Sequence, residues 1–226
     1  MIMKKTWTMI LMAVALFVLP SCSDDDEYYY DNRYANAIVT LKTNPETKQF
    51  YMQLDDETIL RPTNLSTSPY GDKEVRALIN FDFEDERATQ DQNERNAHVY
   101  WIDTIRTKNM AISQEDNVKA YGNDPVEIVK HWTTVVEDGY LTLRFRTKFG
   151  YGVEPHELNL VKGENPYEVI LHHNAKGDLN GVPRDGMIAF RLNDLPDTQG
   201  ETVDLKIKWY SYQGDKEVIF KYRSRD

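Results

Sequence analysis

The sequence predicts an all-β protein, on three observations. Runs in which apolar, β-branched and aromatic residues alternate with polar ones recur along most of the chain. Short clusters of Gly, Pro, Asn and Asp separate those runs. The 3.6-residue apolar spacing of an amphipathic helix is nearly absent. In order, the predicted strands cover residues 34–43, 49–54, 75–83, 99–107, 126–136, 140–149, 157–161, 167–173, 187–192, 203–212 and 218–222.

Each run is bounded by a recognisable break. Asn44-Pro45-Glu46 turns the first run toward the second, and Asp55-Asp56 sits where a hairpin must reverse between residues 49–54 and 58–60. Pro69-Tyr70-Gly71 precedes the third. Residues 84–96 are almost wholly polar, with Ala88 the one apolar side chain, and read as an exposed mobile loop open to proteolysis. Between 111 and 125 the strand signal lapses. There Ser113-Gln114-Glu115-Asp116 is suited to cap a single helical turn, and Tyr121-Gly122-Asn123-Asp124-Pro125 reads as a turn. In the run that follows Asp138-Gly139, Leu141, Leu143 and Phe145 share one face while Arg144, Arg146 and Lys148 share the other. Residues 162–166 and Gly214-Asp215 supply the later turns.

The first 21 residues have the layout of an export signal: Lys4-Lys5, then an uncharged stretch from Trp7 to Leu19. That stretch is short of the roughly 20 apolar residues needed to span a bilayer, and Pro20 ends it. Cleavage follows as the expectation. Cys22, the single cysteine of the chain, closes the leader in Leu19-Pro20-Ser21-Cys22, which resembles the lipobox of bacterial lipoproteins. An unpaired cysteine in an exported protein otherwise has no disulfide partner. Lipidation of Cys22 would hold the protein to a membrane through its acyl chains; the other reading is an ordinary signal peptide that ends near a cysteine. The run Ser23-Asp24-Asp25-Asp26-Glu27 resembles the signal that sends Bacteroides-type lipoproteins to the outer face of the outer membrane, and is also readable as a solvated spacer. The expected location is the outer membrane, displayed on the cell surface. Residues 22–33, with Tyr28-Tyr29-Tyr30, form the tether.

The chain of 226 residues carries a net charge of −10, which becomes −12 once the leader with Lys4 and Lys5 is removed. A strongly acidic chain lacks the clustered cations that displace counterions from phosphate backbones, so nucleic acid is excluded as a partner. Its acidity serves solubility instead. The roughly 205 residues that remain after cleavage suffice for one large or two small domains.

Motifs for chemistry are weak. His172-His173 lie on one predicted strand, where neighbours point to opposite faces, so they cannot chelate one ion together. His156-Glu157-Leu158-Asn159-Leu160 opens like a zinc-protease helix and lacks the second histidine. The stretch from Asp178 to Pro183 opens like a calcium loop, but Val182 and Pro183 stand where a ligand and a glycine are needed. Gly150-Tyr151-Gly152 has no helix behind it to cradle phosphate. No G-x-S-x-G elbow is present, and 37 Asp and Glu residues offer no spacing that selects a glycosidase pair. The expectation is therefore no catalytic residue, no metal and no cofactor. The candidate binding face is the last hairpin, where Lys206, Lys208, Tyr210 and Tyr212 share one side if Leu205, Ile207 and Trp209 face the core. Rings beside cations suit a sugar or a peptide.

Two segments carry a family resemblance: His98-Val99-Tyr100-Trp101-Ile102-Asp103-Thr104-Ile105-Arg106-Thr107-Lys108, and Tyr167-Glu168-Val169-Ile170-Leu171-His172-His173-Asn174-Ala175-Lys176-Gly177-Asp178. Together with 186–192 and 205–222, they make the chain from Tyr34 onward resemble the NigD-like lipoproteins of Bacteroides and Prevotella relatives. The resemblance implies an N-terminal OB-like β-barrel, placed at 34–112, a linker at 113–125 and a C-terminal β-sandwich at 126–226. It also implies a role of the bacteriocin-immunity type, exercised without catalysis by binding a macromolecule. The competing expectation is a glycan- or peptide-binding accessory module of a surface nutrient system. Either way the partners are a membrane, through the lipid, and a protein, peptide or glycan ligand.

Overall fold

The computed structural model describes residues 34–84 and 93–225. The leader, Cys22, the acidic run and the three tyrosines lie outside the described residues, as does the 85–92 part of the polar loop. Five strands form the first half: β1 (Ala37–Thr43), β2 (Phe50–Gln53), β3 (Ile59–Pro62), β4 (Val75–Phe83) and β5 (Glu94–Thr104). They close into a barrel in the order β1-β2-β3-β5-β4, every pair antiparallel except β3 with β5. This is the five-stranded OB plan. Asp55 makes the β2–β3 turn by accepting from the backbone N–H groups of Glu57 and Thr58 at 2.8 and 2.6 Å.

The second half holds β6 (Thr107–Asn109), the single-turn helix α1 (Asn117–Tyr121), β7 (Glu127–Ile128), β8 (Val135–Glu137), β9 (Tyr140–Phe149), β10 (Glu157–Lys162), β11 (Glu168–Asn174), β12 (Val182–Arg191), β13 (Val203–Ser211) and β14 (Gly214–Tyr222). One sheet runs β10-β11-β13-β14 and the other β6-β12-β9-β7, with β8 also on β9. Leu141, Leu143, Leu160, Leu171, Phe190, Leu205 and Ile207 fill the space between them. The chain is thus all-β, a barrel followed by a sandwich.

Several elements differ from the sequence reading. Residues 94–96, read as loop, belong to β5: their backbone pairs in parallel with β3, a partner more than 30 residues away that local polarity could not reveal. The run 126–136 breaks into β7 and β8 because both pair with β9, and residues 129–134 bulge out between them. Thr107–Asn109, read with the first domain, pairs with Ala189–Arg191 of the sandwich. The capped single turn is present as expected, with Asp116 accepting from the Lys119 N–H at 3.0 Å to cap α1. β12 starts five residues earlier than its apolar stretch, since its first part borders β9 on one side only.

Barrel and sandwich belong to one compact unit and meet through a mixed seam. Ile38, Ile105, Tyr140 and Ala189 form its apolar centre. Beside them Arg76, fully buried, donates to Thr142 Oγ1 at 3.2 Å and Thr40 Oγ1 at 3.0 Å, with Glu137 3.5 Å away. Arg225 from the C-terminus pairs with Glu74 at 2.8 Å and Asp138 at 2.9 Å, and Lys42 reaches Asp138 at 2.7 Å. Burial and a hydrogen bond to Glu74 push the Tyr140 hydroxyl up to about 12. Such charges are tolerated inside because each has a partner.

Candidate functional site

On the last hairpin, Leu205, Ile207 and Trp209 enter the core and Lys206, Lys208 and Tyr210 take the outer face. That face is largely committed to ion pairs. Lys206 lies 3.3 Å from Glu217 on β14, and Lys208 lies 3.0 Å from Glu168 on β11. The Lys208 bond holds the Glu168 carboxyl below its usual range. Tyr210 stays exposed. Tyr212 departs from the other three, because β13 ends at Ser211 and Tyr212 swings across the end of the sandwich. Its hydroxyl accepts from the Lys148 N–H at 3.0 Å and sits 3.0 Å from Thr147 Oγ1. It therefore ties one sheet to the other.

His172 and His173 take opposite faces of β11, as alternation requires. His172 Nδ1 lies 2.9 Å from the carbonyl of Gly122, under the α1 turn. Gly122 makes that approach possible: it has φ +84°, and a Cβ there would lie 2.6 Å from the His173 carbonyl oxygen. His173 points the other way, with Nε2 3.0 Å from His156 Nδ1 and Nδ1 3.3 Å from the Pro125 carbonyl. His156 stacks on Phe149 at 4.3 Å between centroids, and its Nε2 is 3.6 Å from Asp178 Oδ2. Only one proton fits between the two facing ring nitrogens. Burial, and then His156, press the His173 imidazole below its usual value. The Asp178–His156–His173 chain was not evident from sequence; the antiparallel register that sets Leu158 opposite His173 was the signal that would have shown it. Among the described residues no three His, Cys, Asp or Glu side chains converge to hold a metal ion.

The same end of the sandwich opens into a cleft of about 670 Å³. Phe145, Phe149 and Ile188 line its apolar part, and Arg106 and Arg184 stand at its polar part. The loop between β9 and β10 borders it, with Tyr151 and Val153 fully exposed. That loop is held to the β11–β12 turn by Asp178, which accepts from the Gly150 N–H at 3.0 Å. Gly181 lets the two approach: a Cβ there would fall 1.6 Å from the Phe149 carbonyl oxygen. Asp178 through Pro183 is thus a clasp between loops leading into β12. The arrangement suits recognition: apolar walls, two cations and a proton-sharing pair, with no activated nucleophile among them.

Residues 38–105 match the model of the NigD-like N-terminal OB domain, and residues 108–222 that of the NigD-like C-terminal beta sandwich domain. No curated protein matches the chain. A solved structure from Parabacteroides distasonis, described as a toxin related protein, is similar at 32% identity and TM-score 0.65, over 83% of this chain and 92% of its own. A protein of unknown function from Bacteroides vulgatus shares the fold at 22% identity and TM-score 0.65, over 82% and 89%. A NigD-like immunity protein from Bacteroides caccae shares it at 20% identity and TM-score 0.56, over 83% and 96%.

Proposed function

The chain belongs to the NigD-like family, and from that premise we propose a non-enzymatic immunity protein, anchored through lipidated Cys22 and displayed on the outer membrane, that binds a macromolecule to protect its own cell from a bacteriocin. The observation that carries this reading is the match of both halves to the two NigD-like domains in their natural order. The 32% identical relative described as toxin related, and the structure from Bacteroides caccae described as an immunity protein, support it. The leader, Cys22 and the acidic run that follows supply the reason for the location.

The test is survival. Parent cells, a deletion mutant and the mutant complemented with Cys22→Ala are exposed to culture fluid from closely related strains. Deletion should sensitise the cells, and the unanchored variant should fail to rescue them. Equal survival of all three across an active panel would discard immunity. The second reading, a glycan- or peptide-binding accessory module, draws on the exposed Tyr210 ring beside Lys208. It predicts carbohydrate or peptide capture that tolerates salt and falls on Tyr210→Ala.

A further inference from the structure

The sandwich carries an incompletely paired edge. β12 pairs with β9 along its whole length, from Val182 to Arg191, but with β6 only at Ala189–Arg191. Ala189 donates its N–H to the Arg106 carbonyl at 2.9 Å, on the β6 side. Backbone groups alternate in direction along an antiparallel strand. Met187 and Asp185 therefore turn their N–H and C=O groups to the same side as Ala189, beyond the reach of β6, and no hydrogen bond fills them among the described residues. Pro183 faces that side too, without an N–H to offer.

Three further features gather at this edge. The cleft of about 670 Å³ runs alongside it, with Phe145 and Phe149 in its wall. Tyr151 and Val153, at 105% and 100% exposure the least covered of the large apolar side chains among the described residues, rise from the loop beside it. Arg106 and Arg184 form no ion pair or side-chain hydrogen bond among the described residues, in a chain whose net charge is −10. Two of the four acids that line the cleft are ion-paired, Asp185 with Arg144 and Arg146 and Glu157 with Lys176, and Asp178 is turned to the Gly150 N–H, which leaves Glu154 beside two free arginines.

We propose that the open edge of β12 between Val182 and Ile188 is a docking site for an extended, acidic polypeptide segment of a partner protein, which adds as a strand beside β12, sets its apolar side chains into the cleft and its carboxylates against Arg106 and Arg184. Strand addition to a free edge takes affinity from main-chain hydrogen bonds and selectivity from alternate side chains. The site deepens the macromolecule-binding reading given above and rests on it.

The experiment is selection of phage-displayed random decapeptides on the full chain, followed by titration of the enriched peptides as synthetic ligands. Enriched peptides should carry Asp or Glu at alternate positions. They should bind at least tenfold more weakly to Arg106→Glu/Arg184→Glu, whose substitutions lie on exposed side chains, and should lose binding when their backbone amides are N-methylated. Hydrogen exchange at Asp185 and Met187 should slow when such a peptide is bound. Absence of enrichment, enrichment of basic peptides, or equal binding to the double variant would each overturn the proposal. The killing assay is independent of this one. Sensitised deletion cells with no peptide binding would remove the edge and keep immunity; peptide binding with unchanged survival would keep the edge and remove immunity.

Discussion

The barrel and the sandwich solve the same problem in different ways. Five strands of the barrel close on themselves, so its ladders have no end strand to protect; Val39, Leu41, Met52, Leu60, Ile79 and Val99 fill its core, and the polar side chains it buries, Thr40, Arg76 and Asn80, alternate with core residues along β1 and β4. The sandwich stays open. Its buried set includes Glu168, His172, His173, Thr147 and Ser211; the carbonyls of Gly122 and Pro125 meet the two histidines and Thr147, and Asn165 and Lys208 hold Glu168. Ala111 donates to the Leu160 carbonyl, and Asp124 donates to that of His173. The difference teaches where recognition is to be sought. Closure gives every barrel strand two neighbours, whereas the sandwich keeps end strands: β14 pairs with β13 alone, and β12 has β6 beside it over only three residues.

The largest expected effect falls on the seam that couples the halves. Arg76→Ala removes a buried cation and strands Thr40, Thr142 and Glu137, a loss of about 3–5 kcal/mol. Calorimetry should then show two transitions for the variant and one for the parent; a single transition of the variant at a slightly lower temperature would mean that the apolar contacts of Ile38, Ile105 and Tyr140 suffice. Core truncation sharpens the comparison next. Met52→Ala in the barrel and Leu171→Ala in the sandwich should each cost about 2–5 kcal/mol, and with the seam intact both should lower one common transition. Separate shifts in separate transitions would show the halves unfold independently.

Acid is expected to act on the sandwich. The folded state holds His173 below its ordinary value of 6.5, first through burial and then through His156, so its neutral form is favoured in the folded protein. Stability from this group is present above about pH 6.5 and is lost as pH falls through the lower folded value. Pro125 and Asp124 oppose the shift in part. Melting temperature followed from pH 7.5 to pH 5 should fall less steeply in His173→Gln than in the parent, with the difference read at sandwich amides by hydrogen exchange. An unchanged slope would take His173 out of the account. The smallest effect is expected from Asp116→Ala, which removes the α1 cap at a cost of about 1 kcal/mol. Exchange should quicken within Asn117–Tyr121 while the main transition barely moves.

How much was legible in the chain follows from the range of each interaction. The sequence alone determined what rests on neighbours: the all-β class, the alternation that puts Leu205, Ile207 and Trp209 inside, the Asp55 turn, the capped single turn at 116–121 and the opposite facing of His172 and His173. These are properties of residues one to four places apart, where the period of 2 or one side chain bonding its own backbone is enough. The family resemblance added the barrel and the sandwich by name. Only the tertiary structure decided the parallel pairing of β3 with β5, the split of 126–136, the departure of Tyr212 from its expected face, and the His156–His173 contact. It alone decided Arg225 with Glu74, a pair separated by 151 residues, and the bare edge of β12. Those features depend on which distant segment arrives beside which. Local polarity carries no record of that choice, because a polar side chain on an exterior strand and one in a loop are equally content with water.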